Sequence, residues 1–407
     1  MAAATLRESG VPAQGRRGSH RANEAETRRK PHVCFVAPYA WPVLSRDPNI
    51  QVVGGAEVQQ CVLARLLADA GYRVSMISFD YGQPSPVLVD GVTVYKSFRE
   101  SAGVPVLRFL HPRLPGMWRA LRAVDADVYY QRSSAMWTGV VAEFCRRHGK
   151  RAIYAGASDR DFDIGHEQIA HGRDRWLYRR GLARVDRIVA QNPFQVESCR
   201  RNHKRTPVLI PSCYVPPAHA ERSSLNKDCV LWVGTIHGYK RPEMFLEIAE
   251  RCPGRRFVLI GGPSIGGERL KPGYFEAMRE RAARLPNVEF TGFLPLAEVE
   301  KWFDRARLLV LTSVYEGMPN VFLQAWARGV PTVSTVDVGA PVSTVVADAA
   351  QAAAKVEALL KDTALWNQAS FDSLAYFERN HSSGEVLSRY ARLLEELVPV
   401  SPSTGVR

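Results

Sequence analysis

Residues 308–335 read LLVLTSVYEGMPNVFLQAWARGVPTVST, and the fold follows from how this stretch divides. Leu308 to Leu311 is an apolar run of a length that suits a strand covered on both faces, and the small and polar residues Thr312 to Gly317 break it. Pro319 suits a first helical turn, Val321, Phe322, Ala325 and Trp326 fall on one helical face, and Gly329 with Pro331 predicts a stop. Thr332 to Thr335 then resumes as strand. The predicted helix points its N-terminus back at the loop carrying Glu316. A helix start beside the carboxyl end of a parallel strand offers free backbone N–H groups and a favourable dipole to a phosphate. Glu316 lies at the rim of that place, and Gln324, in the second turn, leans its Cβ toward it. On spacing alone the pair serves equally well as a loop carboxylate and a solvated helix residue.

The run EGMPNVFLQAWARG resembles the signature of the retaining, nucleotide-sugar-dependent glycosyltransferases of group four, which have the GT-B fold and carry two Glu with seven residues between them. Glu316 matches the first Glu and Gln324 replaces the second. The resemblance implies that Glu316 contacts the donor sugar and Gln324 the ribose hydroxyls, with Gly317, Met318, Pro319, Asn320 and Val321 lining the donor. Gln still donates and accepts hydrogen bonds but carries no charge. The stretch WVGTIHGYKRPEMFLEIAERCPGRRFVLIGG resembles the family's second-domain entrance, in which Gly234 and a downstream cation face the diphosphate. Lys240 and Arg241 fill the cation role, while Thr235 stands where many members carry Arg. GGAEVQQCVLARLLADAGYRVSM resembles the opening βα unit, whose glycines, here Gly54 and Gly55, face donor phosphates and acceptor. Two glycines before a helix also make a simple tight turn. Neither a GxGxxG fingerprint nor the GxxxxGK[ST] spacing of a P-loop is present.

A chain of 407 residues has room for two domains, each with its own core. Its net charge of +13 favours anionic partners, whether nucleoside diphosphates, a lipid surface or nucleic acid. The seven cysteines are scattered and contain no CxxC pair, which suits reduced thiols in a cytosolic protein rather than a zinc module or disulfide scaffold. No apolar run approaches the roughly 20 residues of a membrane-spanning helix. Residues 1–30 are basic and lack an apolar core of the signal-peptide kind, so they read as a disordered basic tail. A cytoplasmic enzyme of bacterial type, resting at most peripherally on the inner membrane, fits these features.

Along the chain, His32 to Pro38, Tyr72 to Ser78, Val92 to Tyr95, Asp127 to Tyr130, Ala152 to Tyr154 and Arg187 to Val189 read as strands with helical segments between them, the first being Ala56 to Ala70. This alternation predicts a parallel, doubly wound α/β sheet. Pro211 to Asp228, with three prolines, reads as a linker. The plan then repeats with strands Cys229 to Val233, Arg256 to Ile260, Val288 to Phe290, Leu308 to Leu311 and Thr332 to Thr335, followed by helices Ala352 to Lys361 and Ser382 to Leu397. The expected organisation is a GT-B pair of Rossmann-like domains with a cleft between them. Residues 31–213 form the acceptor domain and 214–380 the nucleotide-sugar donor domain, and within 381–407 the resemblance implies a helix crossing back to the first domain.

Asp159-Arg160-Asp161-Phe162-Asp163 follows a strand and looks like the DxD motif of a different, metal-dependent glycosyltransferase fold. A divalent ion would there bridge carboxylates and a diphosphate. The alternatives are acceptor contacts from Asp159 and Asp161, or a solvated loop or helix cap; GT-B relatives ordinarily need no metal. Arg132 follows the predicted strand ending at Tyr130, at a place where ligands bind, and either meets a phosphate or an acidic sugar of the acceptor or pairs with a carboxylate of the protein. Arg108 to Arg122 and Arg173 to Arg184 mix Arg with Trp118, Trp176 and aliphatic residues, which suits either an anionic membrane surface or helices packed on their own sheet. The resulting expectation is transfer of a sugar from a UDP- or GDP-type donor to a glycan or lipid-linked acceptor, with retention, no metal or other cofactor, and no nucleic acid. A nucleotide-sugar epimerase and a catalytically inactive scaffold are the rival readings.

Overall fold

The computed structural model describes residues 29–46, 54–104, 107–218, 220, 227–264 and 271–398. Most of the tail expected at residues 1–30, part of the expected linker and the last residues after 398 lie outside these. Eight strands form the first sheet: β1 (Val33–Val36), β2 (Val74–Ser78), β3 (Val87–Val89), β4 (Val92–Lys96), β5 (Val128–Arg132), β6 (Arg151–Ala155), β7 (Arg187–Ala190) and β8 (Val208–Leu209). Their order is β3-β4-β2-β1-β5-β6-β7-β8, parallel except where β3 turns back along β4. Six more form the second sheet: β9 (Cys229–Val233), β10 (Phe257–Ile260), β11 (Val288–Gly292), β12 (Ala306–Leu311), β13 (Thr332–Ser334) and β14 (Ser343–Val345). The order there is β11-β10-β9-β12-β13-β14, all parallel.

The central strands are apolar along their whole length because both faces are covered. Val33 and Phe35 face a core that contains Leu63, Leu67 and Met76, while Cys34 and Val36 face a second core with Tyr129, Phe144 and Tyr178. In the second sheet Val230 and Trp232 point one way and Cys229 and Leu231 the other. All seven cysteines are free and buried, as small apolar residues of these cores.

Helix Ser383–Leu397 lays Val386, Tyr390, Leu393, Leu394 and Leu397 into the core of the first sheet, where the Tyr390 and Tyr130 hydroxyls lie 3.3 Å apart. The chain therefore passes between the sheets twice, near Ser212 and near His381. The two passages touch: His381 Nδ1 lies 2.7 Å from Ser212 O, and Tyr214 N–H donates to His381 O at 3.3 Å. Burial pushes the His381 imidazole down to about 4, so it is neutral there.

Candidate functional site

Each sheet reverses its order of growth once, and each reversal opens a crevice. In the second sheet the chain runs outward from β9 through β10 to β11, then returns to β12 on the other side of β9. Loops leaving the carboxyl ends of β9 and β12 stand at the place where doubly wound sheets take ligand. Lys240 and Arg241 follow β9, and Glu316 follows β12. The corresponding crevice of the first sheet lies between β1 and β5, with Gly54-Gly55 on the connection after β1 and Arg132 as the last residue of β5.

The second-sheet loops are fixed against each other. Trp232 Nε1 donates to Thr312 Oγ1 at 3.0 Å, and Thr312 Oγ1 donates to Lys240 O at 2.7 Å. Arg241 takes the left-handed φ of 48° between a short turn and the next helix, and its Nε donates to Thr312 O at 2.8 Å. Thus placed, Lys240 Nζ makes a short ion pair with Glu316 Oε1, which also accepts from Ser313 Oγ at 2.7 Å. The two side chains are 18% and 15% exposed. Burial pulls the Lys240 ammonium down, but Glu316 and Tyr239 outweigh it and the net shift is upward, so Lys240 stays charged. Helix Asn320–Trp326 begins just beyond, with Pro319 as its N-cap rather than in its first turn. The Asn320 and Val321 amides are first-turn groups with no intrahelical acceptor.

The first domain closes over this loop. Ser158 bridges Gly317, Asn192 Nδ2 donates to Gly317 O at 3.4 Å, and a Cβ on Gly317 would stand 2.4 Å from Ala157 O. Only glycine allows that approach. Asp159 accepts from Asn192 Nδ2 and Gln195 Nε2, each at 3.0 Å. Burial lifts its carboxyl to about 6 against those two hydrogen bonds, with Asp161 and Glu316 adding to the rise.

With this geometry in view, the comparisons with known proteins are specific. The family model for glycosyl transferases group 1 matches residues 227–362, and that for the glycosyl transferase 4-like domain matches residues 54–211. The chain belongs to this glycosyltransferase family. Its fold is that of sucrose-phosphate synthase from Thermosynechococcus elongatus, with TM-score 0.69, 19% identity, and coverage of 91% of this chain and 100% of that one. Anabaena Alr3699/HepE in complex with UDP and glucose superposes with TM-score 0.68 at 16% identity, over 89% of this chain and 99% of that chain. These neighbours have the GT-B architecture expected from the sequence. A D-inositol 3-phosphate glycosyltransferase from Mycobacteroides abscessus is 29% identical over 198 residues, 44% of this chain and 43% of the relative. The chain thus spans less than half the length of such curated relatives.

Within this glycosyltransferase family member, several expected site residues are occupied elsewhere. Gln324 was expected at the ribose, but its Nε2 donates to Glu300 Oε1 at 2.8 Å and the side chain is buried against helix Leu296–Arg305. Of the alternatives for Asp161, a metal, the acceptor, or a solvated loop or helix cap, the structure shows the cap: its Oδ2 accepts from Ala157 N–H at 2.7 Å and Ser158 N–H at 3.1 Å, in a capping box inside its own turn. Arg132 is buried, donating to Ser212 Oγ at 3.1 Å and toward Tyr130 OH at 3.5 Å, so it braces the passage between domains. Among the described residues it forms no ion pair with a carboxylate, the structural alternative foreseen for it. The Asn320 amide reaches across to the glycine turn, donating to Gly55 O at 3.1 Å and accepting from Gln59 Nε2 at 2.9 Å. Met318 and Val321 pack in the core of the second sheet. Gly234 follows β9 with its N–H on Ile260 O at 3.0 Å, and Gly261 lies so close that a Cβ there would stand 2.0 Å from Gly234 O.

The sequence reading missed Thr312 and Ser313, though small polar residues at a strand's carboxyl end were a signal for both. It also missed Tyr239, Tyr315, Asn192 and Gln195, whose partners are distant in the chain. Among the described residues no group of three His, Cys, Asp or Glu is placed to hold a metal ion, and no helix is long and apolar enough to cross a membrane.

Proposed function

We propose that this chain is a retaining hexosyltransferase that moves a sugar from a UDP- or GDP-type donor to a hydroxyl of a glycan or lipid-linked acceptor, in the synthesis of a cell-surface polysaccharide or glycolipid. The observation that carries the reading is the juxtaposition, at the reversal point of the second sheet, of two cations after β9 with a carboxylate after β12. Breaking the bond between sugar and diphosphate moves negative charge onto the leaving phosphate. Lys240, Arg241 and the amides of Asn320 and Val321 are fixed donors for that charge. Glu316 faces the sugar and orients it. With no protein nucleophile assigned, the leaving phosphate takes the acceptor proton on the same face, which gives retention. The HepE complexes with UDP and with UDP-glucose, and the relatives' inositol phosphate acceptor, support a nucleotide-sugar donor and a hydroxyl acceptor.

A panel of UDP- and GDP-sugars, screened by thermal shift and transfer in excess EDTA, tests this. One donor should raise the melting temperature and be consumed with the chelator present, because side-chain cations and helix amides take the place of a metal. Loss of transfer that Mg²⁺ or Mn²⁺ restores would move the chemistry to Asp159, and a panel without any binder would sink the donor reading.

We further propose peripheral contact with an anionic membrane, made by helix Gly172–Leu182 and the segment before helix Leu114–Val124. Trp176 is 58% exposed with Arg180 over its ring at 5.3 Å, and Arg173 lies over Phe109 at 4.1 Å, joining the two segments. Arg179 is committed to Glu167 at 2.6 and 3.0 Å and is left out of the test. Arg173→Ser, Trp176→Ser and Arg180→Ser together should cut binding to phosphatidylglycerol vesicles by at least tenfold at low salt. Unchanged binding would leave these helices as packed elements with a solvated face.

A further inference from the structure

A column of side chains crosses the cleft beside Glu316. Tyr239 and Tyr315 stack nearly parallel, with ring centroids 4.9 Å apart and planes at 12°. His237 packs against Tyr239 with ring centroids 4.6 Å apart and planes at 60°. The Arg160 guanidinium, from the other domain, covers the free face of Tyr315 with its carbon 3.6 Å from the ring centroid. Tyr239 precedes Lys240 in the chain and Tyr315 precedes Glu316, so the ring stack runs beside the Lys240–Glu316 ion pair as a second rung between the same two loops. A third tie is backbone: Val314 N–H donates to Tyr239 O at 2.8 Å.

Arg160 is presented on a fixed mount. It belongs to the turn Asp159–Phe162, whose start is closed by the Ser158 and Asp161 capping box and whose Asp161 carbonyl accepts from Tyr178 OH at 2.5 Å. Phe162 is fully buried beneath it. Among the described residues no carboxylate forms an ion pair with the Arg160 guanidinium. Its planar face is spent on a ring, a contact to which Arg is suited because it is flat and weakly hydrated.

We propose that Arg160 is a positioning residue for Glu316. It grips Tyr315 when the domains are closed and so holds the Glu316 loop in its working geometry, making domain closure and orientation of the donor sugar a single event. This rests on Glu316 facing the sugar. The first domain flanks Glu316 on both sides, through Arg160 on Tyr315 and through Ser158 and Asn192 on Gly317. It thereby acts on the two chain neighbours of the carboxylate. A loop clamped only from its own domain would keep its shape with the cleft open; this one has half of its clamp on the opposite wall.

The test uses the full chain with Arg160→Ala, Arg160→Lys, Tyr315→Leu and the Arg160→Ala/Tyr315→Leu double variant. Calorimetry with the nucleoside diphosphate of the identified donor reads the second domain alone, and steady-state transfer reads orientation of the sugar. Arg160→Ala should lower kcat about tenfold, the loss of one stacked cation from the aligned state, with nucleoside diphosphate affinity within about twofold of the parent. Arg160→Lys should recover part of that loss, because it keeps the charge without the flat face. The double variant should be no slower than the slower single one, since the Arg160–Tyr315 contact is already lost in either single variant. An unchanged kcat in Arg160→Ala, or losses that multiply in the double variant, would overturn the proposal. X-ray scattering in solution gives a readout independent of transfer: Arg160→Ala should increase the radius of gyration of the free protein. If the parent transfers no sugar but this expansion appears, the donor reading fails while the closing contact stands; if it transfers sugar and neither quantity changes, the contact fails alone.

Discussion

Glu316→Gln should cut turnover with the full donor by about a hundredfold while leaving affinity for the free nucleoside diphosphate within about twofold. The amide keeps the shape, and its oxygen still accepts from Lys240 and Ser313 as the carboxylate does. On the proposed reading, what disappears is a negative charge aimed at the sugar, which matters only when a sugar is present. Lys240→Ala should lower both quantities. On the same reading it withdraws a cation from the diphosphate in ground and transition states alike, worth about 1.5 to 3 kcal/mol, or on the order of tenfold to a hundredfold in both affinity and rate. The same change removes the partner that holds Glu316, so its rate loss should exceed its affinity loss. Calorimetric affinities and steady-state rates for the two variants decide the matter. Transfer at the parent rate by Glu316→Gln would remove this loop from the donor site.

The largest stability effect should come from Arg328, whose side chain is fully buried. Its Nη2 donates to Glu300 at 2.8 Å, its Nε to Asp304 at 2.6 Å, and its Nη1 to Tyr214 OH at 3.0 Å. Arg328→Met takes the cation from between two carboxylates in a poorly hydrated place, and the loss should be about 3 to 5 kcal/mol in urea unfolding. Replacing Glu300 and Asp304 by Leu in the same chain should recover most of it, because an apolar cluster of similar volume has no charge to desolvate. A loss under about 1 kcal/mol for the single variant would mean that water reaches the cluster.

The strands that build both sheets were legible because a strand covered on two faces is apolar throughout, as in VCFV and CVLWV. The strands that escaped notice are the edges. Val208–Leu209 is short and exposed, and Val87–Val89 and Ser343–Val345 are three-residue strands that are only partly covered. Helix Thr363–Asn380 was also missed: it buries only Trp366, Ser373 and Phe377, and its N-cap, Asp362, directly follows the preceding helix. In the site, Lys240 and Glu316 were found through motif resemblance, and the structure brings them together. The fate of Gln324 was not legible, since it depends on Glu300, a residue of another helix that spacing along the chain does not reveal. Arg160 gave no signal either: within DRDFD it reads as one charge among several, and its partner Tyr315 belongs to the other domain.

The lacing of Ser212 and Tyr214 to His381 has a mechanical meaning. Two domains joined by separated threads can slide, twist or part in any direction. Here both threads are knotted at one place by buried hydrogen bonds, so the chain behaves as a book bound along a single spine. The freedom that remains is a swing about that spine, and a swing multiplies a small turn at the binding into a wide travel at the fore-edge of the page.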